Sequence, residues 1–148
     1  MLRIAAKYAD YLNIIPDAGK LGKFSVETVE RMTDAAFRER VDFVRAEARR
    51  AGREPQAIKV SNVMLVFMIV DTAAAAQQTI EMVAPAMKLR PEALRASPIA
   101  LIGTPEQCAA ELRRRIEAWG VSQFIFGSFL GMDERQIRRM REEVIPRI

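Results

Sequence analysis

The sequence predicts an α/β fold built on a parallel sheet, and three observations lead to it. Helix-period segments alternate with short β-rich runs along the whole chain, the order of elements that a parallel sheet requires. The run at 58–70, which contains M-L-V-F-M-I-V, is apolar without alternation, as in a strand covered on both faces. The stretch L-I-G-T-P-E-Q-C-A-A-E-L-R-R-R-I-E-A-W-G-V-S-Q-F-I-F-G at 101–127 reads as a turn, a capped helix and a short buried strand in succession.

Each element has its own local reason. Residues 2–9 carry a helical pattern and residues 11–15 a short strand. Ser25 caps a long amphipathic helix expected to run to about residue 51. Its Val29, Met32, Ala36, Phe37, Val41, Val44 and Ala48 form one wide apolar stripe, and Gly52 and Pro55 stop it. After the strand at 58–70, Asp71 or Thr72 starts a helix to about Val83, which Pro85 ends or kinks. A short helix over 91–96 precedes the Ser97-Pro98 break. Thr104 is an N-cap, Pro105 suits the first helical position, and Gln107 completes a capping box. Cys108, Leu112 and Ile116 then form the apolar stripe while Arg113 and Arg114 point elsewhere. Gly120 ends that helix as a left-handed cap, and residues 121–126 form a strand of β-formers. A last helix begins near Asp133 and carries Ile137, Met140 and Val144.

Composition narrows the chemistry. The 148 residues make one ordinary domain, 50% hydrophobic and 28% charged. The excess of 23 Lys and Arg over 19 Asp and Glu gives a net charge of +4, but the arginines are interleaved with glutamates as on solvated helix faces. Without histidine there is no histidine-based triad, imidazole metal ligand or histidine general base. The single Cys108 lies on an apolar helix face, which points to packing ahead of reactivity. Asp10, Asp17, Asp71 and Asp133 stand at helix ends or turns, where capping is their expected role. G-K-L-G at 19–22 has the spacing of neither the P-loop nor the dinucleotide fingerprint. With no secretory signal and no apolar run of membrane-spanning length, the chain is expected to be cytoplasmic, with no membrane partner. On these grounds it is either a compact three-to-four-stranded α/β domain or a piece of a (β/α)8 barrel, which needs roughly 250 residues when complete.

Three segments carry a resemblance. L-R-I-A-A-K-Y-A-D-Y-L-N at 2–13, A-G-R-E-P-Q-A-I-K-V-S at 51–61, and L-I-G-T-P-E-Q-C-A-A-E-L with W-G-V-S-Q-F-I-F-G resemble the C-terminal half of the bacterial luciferase-like monooxygenase family. That family includes oxidoreductases dependent on flavin or on the deazaflavin coenzyme F-420. The resemblance implies a single luciferase-like domain over 1–148, forming a partial (β/α)8 TIM barrel. It implies FMN or coenzyme F-420 as cofactor, a small organic substrate, and chemistry at the C-terminal ends of the strands. The family's first strands and its glycine-rich phosphate-binding stretch fall before the segment matching Met1, so Met1 resembles an internal residue.

The same resemblance supplies the candidate cofactor-binding residues. Asn13 matches the asparagine that commonly follows a tryptophan in the family, although Leu12 stands in the tryptophan's place. Lys20 is placed to meet a cofactor phosphate as a point charge, and Gly127 and Ser128 are placed at the pocket mouth. No catalytic residue and no metal ligand is assigned. Half a barrel is expected to self-associate or to take a partner supplying the N-terminal half. A non-catalytic half-barrel subunit is the competing reading. A nucleic-acid module using R-R-R at 113–115 and R-Q-I-R-R-M-R at 135–141 ranks last, because glutamates dilute the charge and stacking aromatics are lacking.

Overall fold

A computed structural model describes residues 1–17, 25–127 and 133–148. In chain order the elements are α1 (Leu2–Tyr8), β1 (Tyr11–Ile14), α2 (Val26–Arg31), α3 (Asp34–Arg50), β2 (Lys59–Met64) and β3 (Val66–Ile69). They continue as α4 (Ala73–Ala86), α5 (Pro91–Ala96), β4 (Ala100–Gly103), α6 (Pro105–Trp119), β5 (Val121–Phe126) and α7 (Glu134–Arg139). A π-helical turn, Met140–Val144, extends α7. The strands form two parallel sheets, one in the order β1-β2-β5 and one of β3 with β4.

The local signals hold where capping chemistry decides. Thr104 and Gln107 make a reciprocal capping box, with Thr104 Oγ1 accepting from Gln107 N and Gln107 Oε1 accepting from Thr104 N. Gly120 ends α6 at φ 66°, the left-handed conformation that favours glycine. Thr72 caps α4, and Pro85 sits in its last turn, so the helix continues past Val83 to Ala86.

Four elements differ from the sequence reading. The long helix is two helices: Ser25 caps α2, Met32 leaves helical geometry, and Thr33 caps α3 by accepting from Ala36 N. The reason is tertiary, since Val29 packs with Val66, Ile80 and Leu94 whereas Phe37, Val41 and Val44 pack under β1 and β2. One stripe thus serves two cores, and a straight helix cannot reach both. The apolar run is likewise two strands: Leu65 N and Val66 N both donate to Ile99 O, turning the chain out of the first sheet and onto β4. Residues 100–103, read partly as a turn, are β4 itself. Finally, β5 is not buried: Val121 is, but Gln123 and Ile125 are exposed.

Helices cover one face of the three-stranded sheet. Leu12, Ile14, Val60 and Val121 point to α1, α3 and the end of α6, where Trp119 stacks on Phe37 at 4.3 Å between ring centroids. Trp119 Nε1 donates to Asp34 Oδ1 over 2.9 Å, so the buried indole is satisfied at the first turn of α3.

Candidate functional site

The register of the first sheet builds a second, uncovered face. Because side chains alternate along a strand, residues whose neighbours enter the helix-side core point the other way. Tyr11 pairs with Lys59 and Asn13 with Ser61 across β1 and β2; Ser61 pairs with Gln123 and Val63 with Ile125 across β2 and β5. Three levels result on the face away from the helices: Tyr11 with Lys59, then Asn13, Ser61 and Gln123, then Val63 with Ile125 towards the C-terminal ends of the strands. Tyr11 is 56% and Ile125 40% exposed, so on its flanking strands this face is bare, whereas Ser61 on the central strand is buried. At the first level the Lys59 ammonium lies 5.5 Å from the centre of the Tyr11 ring. At the second, the Ser61 hydroxyl donates to Leu12 O over 3.2 Å.

Beside the C-terminal end of β1 lies a cleft of about 400 Å³ lined by Met1, Leu2, Asn13, Ile14, Ile15, Pro16, Asp17 and Arg40. Arg40 arrives from α3 and is committed there: one nitrogen donates to Ile15 O and another to Asp17 Oδ2, both over 2.9 Å. The wall is therefore mostly apolar, with the Asn13 amide as a neutral polar group.

Of the sequence candidates, Asn13 lies on both the bare face and this cleft. Gly127 closes β5 by donating its N–H to Met64 O over 2.9 Å, and a side-chain carbon there would make only ordinary contacts with Met64 O and Leu65. Its backbone, not its lack of a side chain, does the work. Lys20 and Ser128 lie outside the described residues. Leu12, standing in the place of the family's tryptophan, points into the helix-side core and not onto the bare face. Sequence reasoning missed Ser61 and Gln123. The polar pair Ser61-Asn62 within the run at 58–70 was the available signal, since a strand with two dry faces has no use for it.

Charged groups with shifted acidity sit elsewhere, on α6 and α7. Desolvation pushes the Cys108 thiol up to about 12, which leaves it an inert core group. Burial works to raise Glu111, but hydrogen bonds and charge from Arg114 and Arg115 outweigh it and hold the carboxyl below its usual range. Arg115 is buried, and Arg114 is paired with both Glu111 and Asp34, so two of the three arginines at 113–115 are engaged within the fold. Among the described residues no group of metal ligands gathers, and no helix is long and apolar enough to cross a membrane.

No protein-family model and no curated protein sequence matches the chain. Solved structures do. Riboflavin lyase RcaE, determined with modified FMN and riboflavin, matches with a TM-score of 0.65 at 15% identity over 98% of this chain and 39% of its own. Long-chain alkane monooxygenase LadA matches with a TM-score of 0.63 at 17% identity over 98% of this chain and 37% of its own. The coenzyme F-420-dependent tetrahydromethanopterin reductase from Methanopyrus kandleri matches with a TM-score of 0.66 at 18% identity over 99% of this chain and 47% of its own. The chain spans less than half the length of each. At these identities the likeness speaks for the fold: a mixed α/β chain whose whole length matches part of the luciferase-like TIM-barrel proteins, as the sequence resemblance implies.

Proposed function

We propose that the chain forms the C-terminal arc of a luciferase-like (β/α)8 barrel oxidoreductase that works with FMN or the deazaflavin coenzyme F-420 on a small organic substrate. The carrying observation is the one-sided sheet: β1, β2 and β5 run parallel, helices cover one face, and Tyr11, Asn13, Gln123 and Ile125 stand exposed on the other. A barrel wall has this anatomy, with helices outside and strands around a lumen. Two of the named neighbours support the cofactor class: riboflavin lyase RcaE was determined with modified FMN, and the reductase from Methanopyrus kandleri depends on coenzyme F-420.

The residues present fit one portion of such a cofactor. Its planar ring suits a wall with apolar Val63 and Ile125 near the mouth and neutral amides below. Arg40, the cationic side chain lining the cleft, is held by Asp17 and Ile15 O and is not free for the phosphate. Bound, the cofactor supplies two-electron redox chemistry that side chains lack. This chain's part is to hold the ring, exclude water from one side, and orient the substrate.

Fluorescence titration of the purified chain with FMN and with coenzyme F-420 tests the proposal. Saturable binding of one or both is expected, with a dissociation constant on the order of 100 µM, about −5.5 kcal/mol, because only part of the pocket is present. Absence of saturation with both cofactors overturns it. Binding of a flavin distinguishes this reading from the non-catalytic half-barrel.

A further inference from the structure

The C-terminal end of β3 is closed by a side chain. Ile69 pairs with Gly103 in the register of β3 and β4, and Val70 N donates to Gly103 O, so the peptide groups of Ile69 itself face away from β4. Gln136 of α7 meets them there: Ile69 N donates to Gln136 Oε1 over 2.7 Å, and Gln136 Nε2 donates to Ile69 O over 3.3 Å. One carboxamide thus makes both of the bonds that a neighbouring strand would make. Arg139 adds a second hold, donating to Ile69 O over 2.9 Å and pairing with Asp71, just beyond the strand, at 2.9 Å.

The rest of α7 is lightly held. It has six residues, too few for a helix to persist alone, and none of them is fully buried. Ile137, its one apolar side chain, is 45% exposed. The next turn is the opposite case. Met140 and Val144 are buried in one cluster with Phe67, Ile69, Leu101 and Leu112, and there the helix widens to the π-turn, in which Ile145 N donates to Met140 O. A change of helical period is a place where a helix bends. At one end α7 therefore continues into a firmly seated turn, while its own hold on β3 is two polar side chains.

We infer that α7 is a hinged latch: the π-turn is the pivot, and Gln136 and Arg139 are the catch that closes the C-terminal end of β3. Release breaks side-chain contacts and leaves Met140 and Val144 seated, so it occurs by local opening and not by global unfolding. The catch stands at the end of the strand where a barrel carries its chemistry, but the latch does not depend on the cofactor reading.

Hydrogen exchange on the whole chain tests it, followed amide by amide in NMR at several urea concentrations below the unfolding transition. The Ile69 amide reports the catch, and the Val66 amide, which donates to Ile99 O, reports the second sheet. In the wild type, Ile69 is expected to exchange at least about 10-fold faster than Val66 relative to intrinsic rates, with a weaker dependence on urea because the opening exposes little surface. Gln136→Ala is expected to speed Ile69 by about 10-fold more, and Val66 by less than about 3-fold, as loss of a local hydrogen bond implies. Wild-type rates within about 3-fold of each other, or equal urea slopes at the two amides, overturn the latch, because α7 then leaves β3 only when the protein unfolds. An Ile69 rate that Gln136→Ala leaves unchanged overturns it as well, by assigning the opening to fraying of β3 alone.

Discussion

Arg115 Nη1 donates to Asn62 Oδ1 over 2.8 Å, and this contact joins α6 to β2 inside the protein. The same guanidinium also serves Pro98 O, Ala100 O and Glu111 Oε1, at 2.9, 2.7 and 2.8 Å. Desolvation lowers the Arg115 pKa, and the hydrogen bond and charge of Glu111 act against it. A buried cation is tolerable only when it is both paired and hydrogen-bonded, and here it is also the clasp that ties β4 to the first sheet.

Removal of that clasp strands several acceptors at once. Arg115→Met should destabilise the fold by about 3–5 kcal/mol, and Arg115→Lys should recover less than half of the loss, since an ammonium cannot reproduce the planar fork. Urea unfolding measures both. A cost below about 1 kcal/mol for the methionine variant would mean that the network is dispensable.

Glu111 makes this region sensitive to acid. Its folded pKa is depressed by Arg114 and Arg115, so the stability it contributes is present above its unfolded value and is lost as pH falls through the folded one. Glu106 and Glu143 are depressed too, through hydrogen bonds and neighbouring arginine charge, and act in the same direction. Stability should therefore hold at neutral pH and decline as pH drops below the usual carboxylate value of 4.5. Glu111→Gln should flatten part of that decline in melting temperature measured against pH. An unchanged acid slope would assign it to other carboxylates.

The helix cap tests the local chemistry alone. Thr104→Ala should cost roughly 1 kcal/mol, and Thr104→Asn should be nearly neutral, because asparagine can also accept from the N-terminal amides. Equal losses in the two variants would count against the cap. Gly120→Ala should cost at least as much, about 1–2 kcal/mol, since φ 66° is unfavourable for any side chain and the new methyl would displace Arg45.

Such local features were legible in the sequence because they depend on a few adjacent residues. Thr104, Pro105, Gln107 and Gly120 specify α6 without reference to the rest of the fold. Other features arise only in three dimensions. Met32 and Thr33 look like mid-helix residues until two separate cores claim the two halves of the stripe. Leu65 looks like any residue of an apolar run until Ile99 O captures its N–H. Arg115 sits between residues typical of a solvated face, yet its rotation about α6 buries it where Ile116 had been expected, and Ile116 is 37% exposed. The candidate site was half legible for the same reason: resemblance marked Asn13, whereas the row it forms with Ser61 and Gln123 exists only through strand register.

The bare face and its edges lead to the prediction on assembly. Lys59 N donates to Asp10 O over 2.8 Å, and in a parallel ladder alternate residues of a strand bond to each side. The peptide groups of Tyr11 and Asn13 therefore turn to the edge of β1 that is open among the described residues, where Arg40 occupies the carbonyl of Ile15. Ile4 and Tyr8 on α1 are also exposed, at 65% and 78%. An unpaired parallel edge together with exposed apolar side chains favours association, and the polar Asn13 and Gln123 make pairing along the edge preferable to a dry face-to-face contact. The chain should self-associate with rising concentration, or bind a partner that supplies further βα units. Sedimentation velocity over a concentration series reads the first outcome. Hydrogen exchange adds the location: the Tyr11 and Asn13 amides should exchange rapidly in dilute protein and become protected on association. A monomer at every concentration that melts in one cooperative transition would overturn the open-arc reading, and would leave a self-contained α/β domain whose bare face is simply solvated.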